Sequence, residues 1–110
     1  MSVDEMVADA QDQMQHELPP AQARDLLVKM TALLGNVLDA CVKADHAYNV
    51  VLLRFLDADE PANRAKIRAE TSLEYIAKRR AHNTELLVVE MVRSLKVMIK
   101  STEEEMRMAR

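Results

Sequence analysis

The stretch LLVKMTALLGNVLDACVKADHAYNVVLLRF, Leu26–Phe55, decides the fold. Within it Leu27, Met30, Leu34, Val37, Cys41, Ala44, Tyr48, Val51 and Phe55 alternate by three and four residues without a missed step. That period is the seam of a helix packed in coiled-coil fashion, because only an α-helix returns a side chain to one face at this spacing. Leu26, Leu33, Leu38, Leu52 and Leu56 widen the seam into the broader stripe of a bundle helix.

Outward from this core, the chain punctuates itself with proline. Pro19 and Pro20 close whatever precedes and open the long helix, since proline has no N–H to donate and disfavours α geometry in the residue before it. The predicted helix therefore covers about 20–57. The run DADEP, Asp57–Pro61, stops it and is expected to supply both a cap and a proline to a third helix over about 62–108. At the other end Ser2 and Glu5 have capping-box spacing. Val3, Val7, Ala10, Met14 and Leu18 then recur helically, which predicts a first helix over about 3–18.

The third helix shows an apolar face through Ala69, Leu73, Ile76, Ala77, Leu87, Met91, Leu95 and Met98. At about 45 residues it would be roughly 65 to 70 Å long. A short connection forces it to run antiparallel to the second helix. The predicted architecture is all-α, a short N-terminal helix plus a long antiparallel helical hairpin, a coiled-coil-like bundle forming one domain over 1–110. Residues LLVVEMVRSLKVMI, Leu86–Ile99, are apolar on nearly every side, as befits a helix with more than one neighbour. Leu86, Val89, Val92, Met98 and Ile99 are thus candidate interface residues, and a homo-oligomer, dimer or higher, is expected.

Composition excludes much else. One Gly and three Pro leave too few turn-makers for a β-sandwich or barrel. The single Cys41 permits neither an internal disulfide nor a thiolate pair, which points to a reducing, cytoplasmic setting. No apolar run is long enough for a membrane span, and the acidic N-terminus is unlike a secretory signal. Charge is uneven: residues 1–18 carry Asp4, Glu5, Asp9, Asp12 and Glu17 with no Lys or Arg, while 61–110 hold eleven Lys and Arg against seven Glu.

The polar run KRRAHNTE, Lys78–Glu85, interrupts the third helix. If the hairpin turns near residues 59 and 60, facing positions have numbers adding to about 119, which sets Arg80–Asn83 opposite Asn36–Asp39. Arg80, Asn83 and Asn36 are then buried polar residues, with Arg80 answered by Asp4, Glu5 or Asn36 because an unpaired charge there is strongly unfavourable. Two alternatives are a hinge at the level of Gly35 and Arg80, and a partner-facing patch of Arg80, His82 and Asn83.

Taken at 100° per residue on one continuous helix, Arg64, Arg68, Tyr75, Arg79, His82, Arg93, Lys100 and Arg107 lie near one direction. Such a basic stripe is a candidate nucleic-acid surface, cations tracking phosphates and Tyr75 offering a ring to a base. The competing reading is a solvated face, for Glu74 with Lys78 and Glu103 with Arg107 are ordinary i,i+4 pairs. His16, His46 and His82 have no metal-ligand spacing and share no level in the expected register, so neither a metal nor another cofactor is expected. Cys41 reads as a small buried hydrophobe. Asp45 and His46, adjacent on a helix, cannot orient one another. With no phosphate loop and no evident deep pocket, an enzyme is not expected. Met91 to Met108 cluster at the basic end, where flexible thioethers suit an adaptable contact.

The segments ANRAKIRAETSLEYIAKRRA and EMVRSLKVMIKSTEEEMRMAR, about half the chain, resemble small helical proteins encoded by tailed phages beside recombination or replication genes. The resemblance implies an accessory of DNA metabolism acting through a protein partner, and it carries over no catalytic residue. Two functions are therefore expected: a non-catalytic helical scaffold or adaptor acting by self-association and protein partners, or an accessory that contacts single-stranded nucleic acid through the basic face.

Overall fold

The computed structural model describes residues 2–109. Four α-helices make up the fold: α1 Val3–Met14, α2 Pro20–Asp57, α3 Ala62–Glu70 and α4 Leu73–Met108. Among the described residues there is no strand. The all-α class and the long antiparallel pair stand as predicted; two helix boundaries and one expected cap differ, each for a local reason.

Helix α1 begins as its capping box requires, with the Ser2 hydroxyl accepting from the Glu5 N–H at 3.2 Å. It ends at Met14 instead of reaching residue 18. The two prolines cannot donate to carbonyls four residues back, so the ladder fails a full turn before them. The α2 terminus is closed by Asp59, whose φ of 59° is the left-handed C-cap conformation that Asp adopts more readily than most residues. No side chain of DADEP caps α3: Pro61 holds the N-cap position, and Glu60 instead pairs with Arg68.

The third correction is the largest. The expected single helix over 62–108 is two helices, broken at Thr71 and Ser72. Both hydroxyls donate back to carbonyls three residues earlier, Thr71 to Arg68 at 2.8 Å and Ser72 to Ala69. The Ser72 oxygen also accepts from the Tyr75 N–H at 3.2 Å, which makes it the cap that starts α4.

The chain forms two compact units. The first comprises residues up to Asn36 together with those from Leu86 onward. Its core is Val7 and Ala10 of α1, Ala23, Leu26, Met30 and Leu33 of α2, and Val88, Met91, Val92 and Leu95 of α4. Leu33, Val88 and Leu95 are the large side chains most completely removed from water. Arg24 of α2 pairs with Glu103 of α4 across this three-helix packing.

The second unit, Val37–Glu85, contains the end of α2, all of α3 and the start of α4. Its buried residues are few and mostly small: Val37, Cys41, Tyr48, Ala65 and Ala69. Ala65 and Ala69 are fully covered, and their short side chains let α3 lie close against its neighbours. Arg68 of α3 sits 5.3 Å from the centre of the Phe55 ring, which ties α3 to the end of α2.

Nine residues of α3 and the Thr71–Ser72 break thus separate the antiparallel partners, and the register moves accordingly. In the second unit Cys41 meets Glu85 and Asp45 meets His82, positions whose numbers add to 126 and 127 instead of 119. That displacement is about two helical turns.

Candidate functional site

The structure does not bury the expected polar trio, and the two-turn displacement brings a different set of polar side chains together at partly exposed positions. Arg80, Asn83 and Asn36 are all exposed, and no polar or charged residue among those described is buried. Arg80 was phased against Leu73, Ile76 and Leu87, but these side chains are 79, 46 and 37% exposed. The helix that starts after Ser72 buries Val88, Met91, Val92 and Leu95 and half-buries Lys78, Ala81 and Glu85.

Half-buried polar positions of α4 meet α2 of the second unit at Cys41 and Asp45. His82 Nε2 lies 2.8 Å from Asp45 Oδ1, and its Nδ1 lies 3.3 Å from Glu85 Oε2. The Cys41 thiol, buried on the seam, donates to the same Glu85 oxygen at 3.6 Å. His82, Asp45 and Glu85 are all half-exposed, so the cluster is open to solvent on one side while its sulfur is enclosed.

Electrostatics follow from this geometry. The hydrogen bond from His82 to Asp45 favours the imidazolium and raises the histidine above its ordinary range; desolvation opposes this and Glu85 reinforces it. Burial pushes the Cys41 thiol upward, and the carboxylates of Glu85 and Asp45 push it further. A neutral thiol beside an ion-paired histidine is not an activated nucleophile. Sequence reasoning read Cys41 correctly as buried but missed its partners. The signals were present, Cys41 and Asp45 one turn apart on α2, His82 and Glu85 one turn apart on α4, yet they meet only in the observed register.

The candidate nucleic-acid residues do not share one continuous helix. Arg64 and Arg68 belong to α3, and Tyr75, Arg79, His82, Arg93 and Lys100 to α4. Arg68 is paired with Glu60, His82 with Asp45 and Glu85, and Arg93 with Glu90 at 2.9 Å. Tyr75 packs against Tyr48 with ring centres 5.6 Å apart, and its hydroxyl accepts from Arg79 at 3.3 Å. Arg64 and Lys100 are exposed. Tyr48, Lys66, Tyr75, Lys78 and Arg79 line part of an open groove of about 590 Å³ in the second unit, with Glu70 on its wall.

The candidate interface residues divide. Val92 is buried in the first unit's own core, Val89, Met98 and Ile99 are half-buried, and Leu86 is 67% exposed. The seam Leu27–Phe55 faces inward at Met30, Val37, Cys41 and Tyr48, so those positions are already covered within the chain. Among the described residues, no helix is long and apolar enough to cross a membrane. Comparison with protein-family models, curated proteins and solved structures gives no match.

Proposed function

We propose that the chain is a non-catalytic helical scaffold or adaptor that self-associates and engages protein partners through apolar side chains of its second unit. The observation that carries this reading is an inversion of the usual inside-outside balance. The second unit buries one large aliphatic residue, Val37, and leaves Leu38, Val42, Leu53, Leu56, Ile67, Leu73 and Ile76 between 38 and 79% exposed. Scattered exposed aliphatics need no explanation, but so many around so small a core mark a surface that another helix covers. A phage-type accessory role, as the resemblance implies, falls within this proposal, since it works through a protein partner.

The test is the mass in solution. Light scattering coupled to size exclusion is expected to give at least twice the 12.5 kDa of one chain. Replacing Val42, Leu73 and Ile76 with Glu is expected to return it to one chain mass while circular dichroism stays helical. A wild-type protein that remains at one chain mass at high concentration refutes the self-association.

The second reading is contact with single-stranded nucleic acid, and the groove bearing Lys66, Lys78 and Arg79 favours it. It is weaker, because the Tyr75 ring packs on Tyr48 and Arg68 already holds a carboxylate. A salt-sensitive shift of single-stranded DNA, lost on reversing Arg64, Arg68 and Arg79 to Glu, would support it.

A further inference from the structure

We propose that Cys41, His82 and Glu85 form a site for a thiophilic divalent cation of the zinc class, with Asp45 orienting the histidine. The three side chains each offer one ligand atom, and these atoms all lie within 4.8 Å of one another. In a tetrahedral zinc site, bonds of about 2.3 Å to sulfur and about 2.0–2.1 Å to nitrogen and oxygen set the ligand atoms apart by about 3.5 Å for S to O and about 3.3 Å for N to O. The observed separations are 3.6 Å from Cys41 Sγ to Glu85 Oε2 and 3.3 Å from His82 Nδ1 to the same oxygen. Two edges of the ligand triangle are already at coordination length, and the third, Cys41 Sγ to the imidazole, lies within 4.8 Å against about 3.5 Å in such a site.

The role of Asp45 distinguishes this arrangement from an accidental gathering of polar groups. A metal-ligating imidazole characteristically donates its second ring N–H to a carboxylate, which fixes tautomer and ring orientation. Asp45 Oδ1 takes that position, 2.8 Å from Nε2, and leaves the Nδ1 lone pair directed to the side where Glu85 stands. The cation would also reverse the local charge logic. Carboxylates that disfavour a Cys41 thiolate no longer do so when two positive charges sit between them and the sulfur.

Softness selects the ion. A thiolate, an imidazole and a carboxylate suit Zn²⁺ or Co²⁺ and are a poor set for Mg²⁺ or Ca²⁺, which favour all-oxygen shells. Three protein ligands leave a fourth position for water. The half-exposed side of His82 gives the ion a route in. Cys41 belongs to α2 while His82 and Glu85 belong to α4, so the ion would staple the two antiparallel helices of a unit that has little core of its own.

The probe is Co²⁺ added to the metal-free full chain, followed by displacement with Zn²⁺. Expected are a thiolate-to-cobalt charge-transfer band and tetrahedral visible bands that saturate at one ion per chain and vanish on adding Zn²⁺. Cys41→Ser should abolish the charge-transfer band, and Glu85→Gln should weaken binding. Asp45→Asn should weaken it about 10–100-fold with the spectrum retained, the signature of an orienting partner. These last two variants change half-exposed groups, and circular dichroism checks that they fold. A thermal midpoint raised by Zn²⁺ in wild type and not in Cys41→Ser adds a second readout. Absence of the band, binding indifferent to Glu85 and Asp45, or saturation at one ion per two chains would each overturn the site, the last because it requires ligands from two copies.

Discussion

His82 on α4 and Asp45 on α2 lie 2.8 Å apart, Nε2 to Oδ1, and this contact both records the helix register and holds a proton. The pair favours the charged imidazole in the folded chain, with Glu85 on the other ring nitrogen and desolvation opposing. A group whose folded pKa is raised contributes stability fully below its unfolded value, here 6.5, and loses it as pH rises through the folded value. In metal-free buffer the urea midpoint is therefore expected to decline as pH climbs from 6.5 upward. Asp45→Asn should flatten that slope. Because the side chains are about two-fifths exposed, the effect is that of a solvent-screened pair, modest in size. A wild-type midpoint that stays level, or rises, across that range contradicts the assignment.

Ser72 carries the start of α4 through one oxygen atom, accepting from the Tyr75 N–H at 3.2 Å while donating to the Ala69 carbonyl. Replacing it with Ala removes both interactions and leaves a free N–H in the first turn. Loss of such a cap destabilises by about 0.5–2 kcal/mol. Chemical denaturation of Ser72→Ala is expected to fall in that range, with Ser72→Asp, which also caps, close to wild type. Equal stability of all three proteins would mean that 62–108 runs as one helix in solution.

The same break divides what the sequence could say from what it could not. On α2 the three-four spacing was legible, since nothing interrupts that helix, and Met30, Val37, Cys41 and Tyr48 are buried where the period put them. Past Ser72 the projected apolar face holds at Met91 and Leu95, which are buried, and fails at Leu73 and Ile76, which turn to solvent. Leu95 and Leu73 now make the sharpest comparison, one fully buried and the other 79% exposed. Leu95→Ala is expected to destabilise by about 2–5 kcal/mol, as large-to-small changes in a packed core do. Leu73→Ala should stay within about 0.5 kcal/mol when measured at low protein concentration, where association contributes least. Comparable losses in the two variants would restore the continuous-helix face.

The site was hidden for the same reason. Residue types alone do not bring Cys41 and Asp45 to His82 and Glu85; a hairpin count does, and α3 with its two-residue break shifts that count by about two turns. Thr71 and Ser72 are ordinary mid-helix residues by propensity, and their local hydrogen bonds decide the matter. Arg80 shows the converse: its expected burial rests on a helical phase shared with Leu73 and Ile76, and like them it faces water, where its charge needs no partner.

Gly35 offers a test of α2 itself. It lies inside a 38-residue helix, with no positive φ to require glycine, and a Cβ added there would meet nothing within 4 Å. Glycine in that position therefore carries its conformational penalty without a packing reason, and the helix should gain from its removal. Gly35→Ala is expected to stabilise the chain by about 0.5–1 kcal/mol, read as a higher urea midpoint with an unchanged slope. The measurement belongs at low protein concentration, where association contributes least to the midpoint. A loss of stability there would show that the helix bends at Gly35 or that another chain presses against it, and the level of Gly35 would then be the hinge that the sequence raised as an alternative.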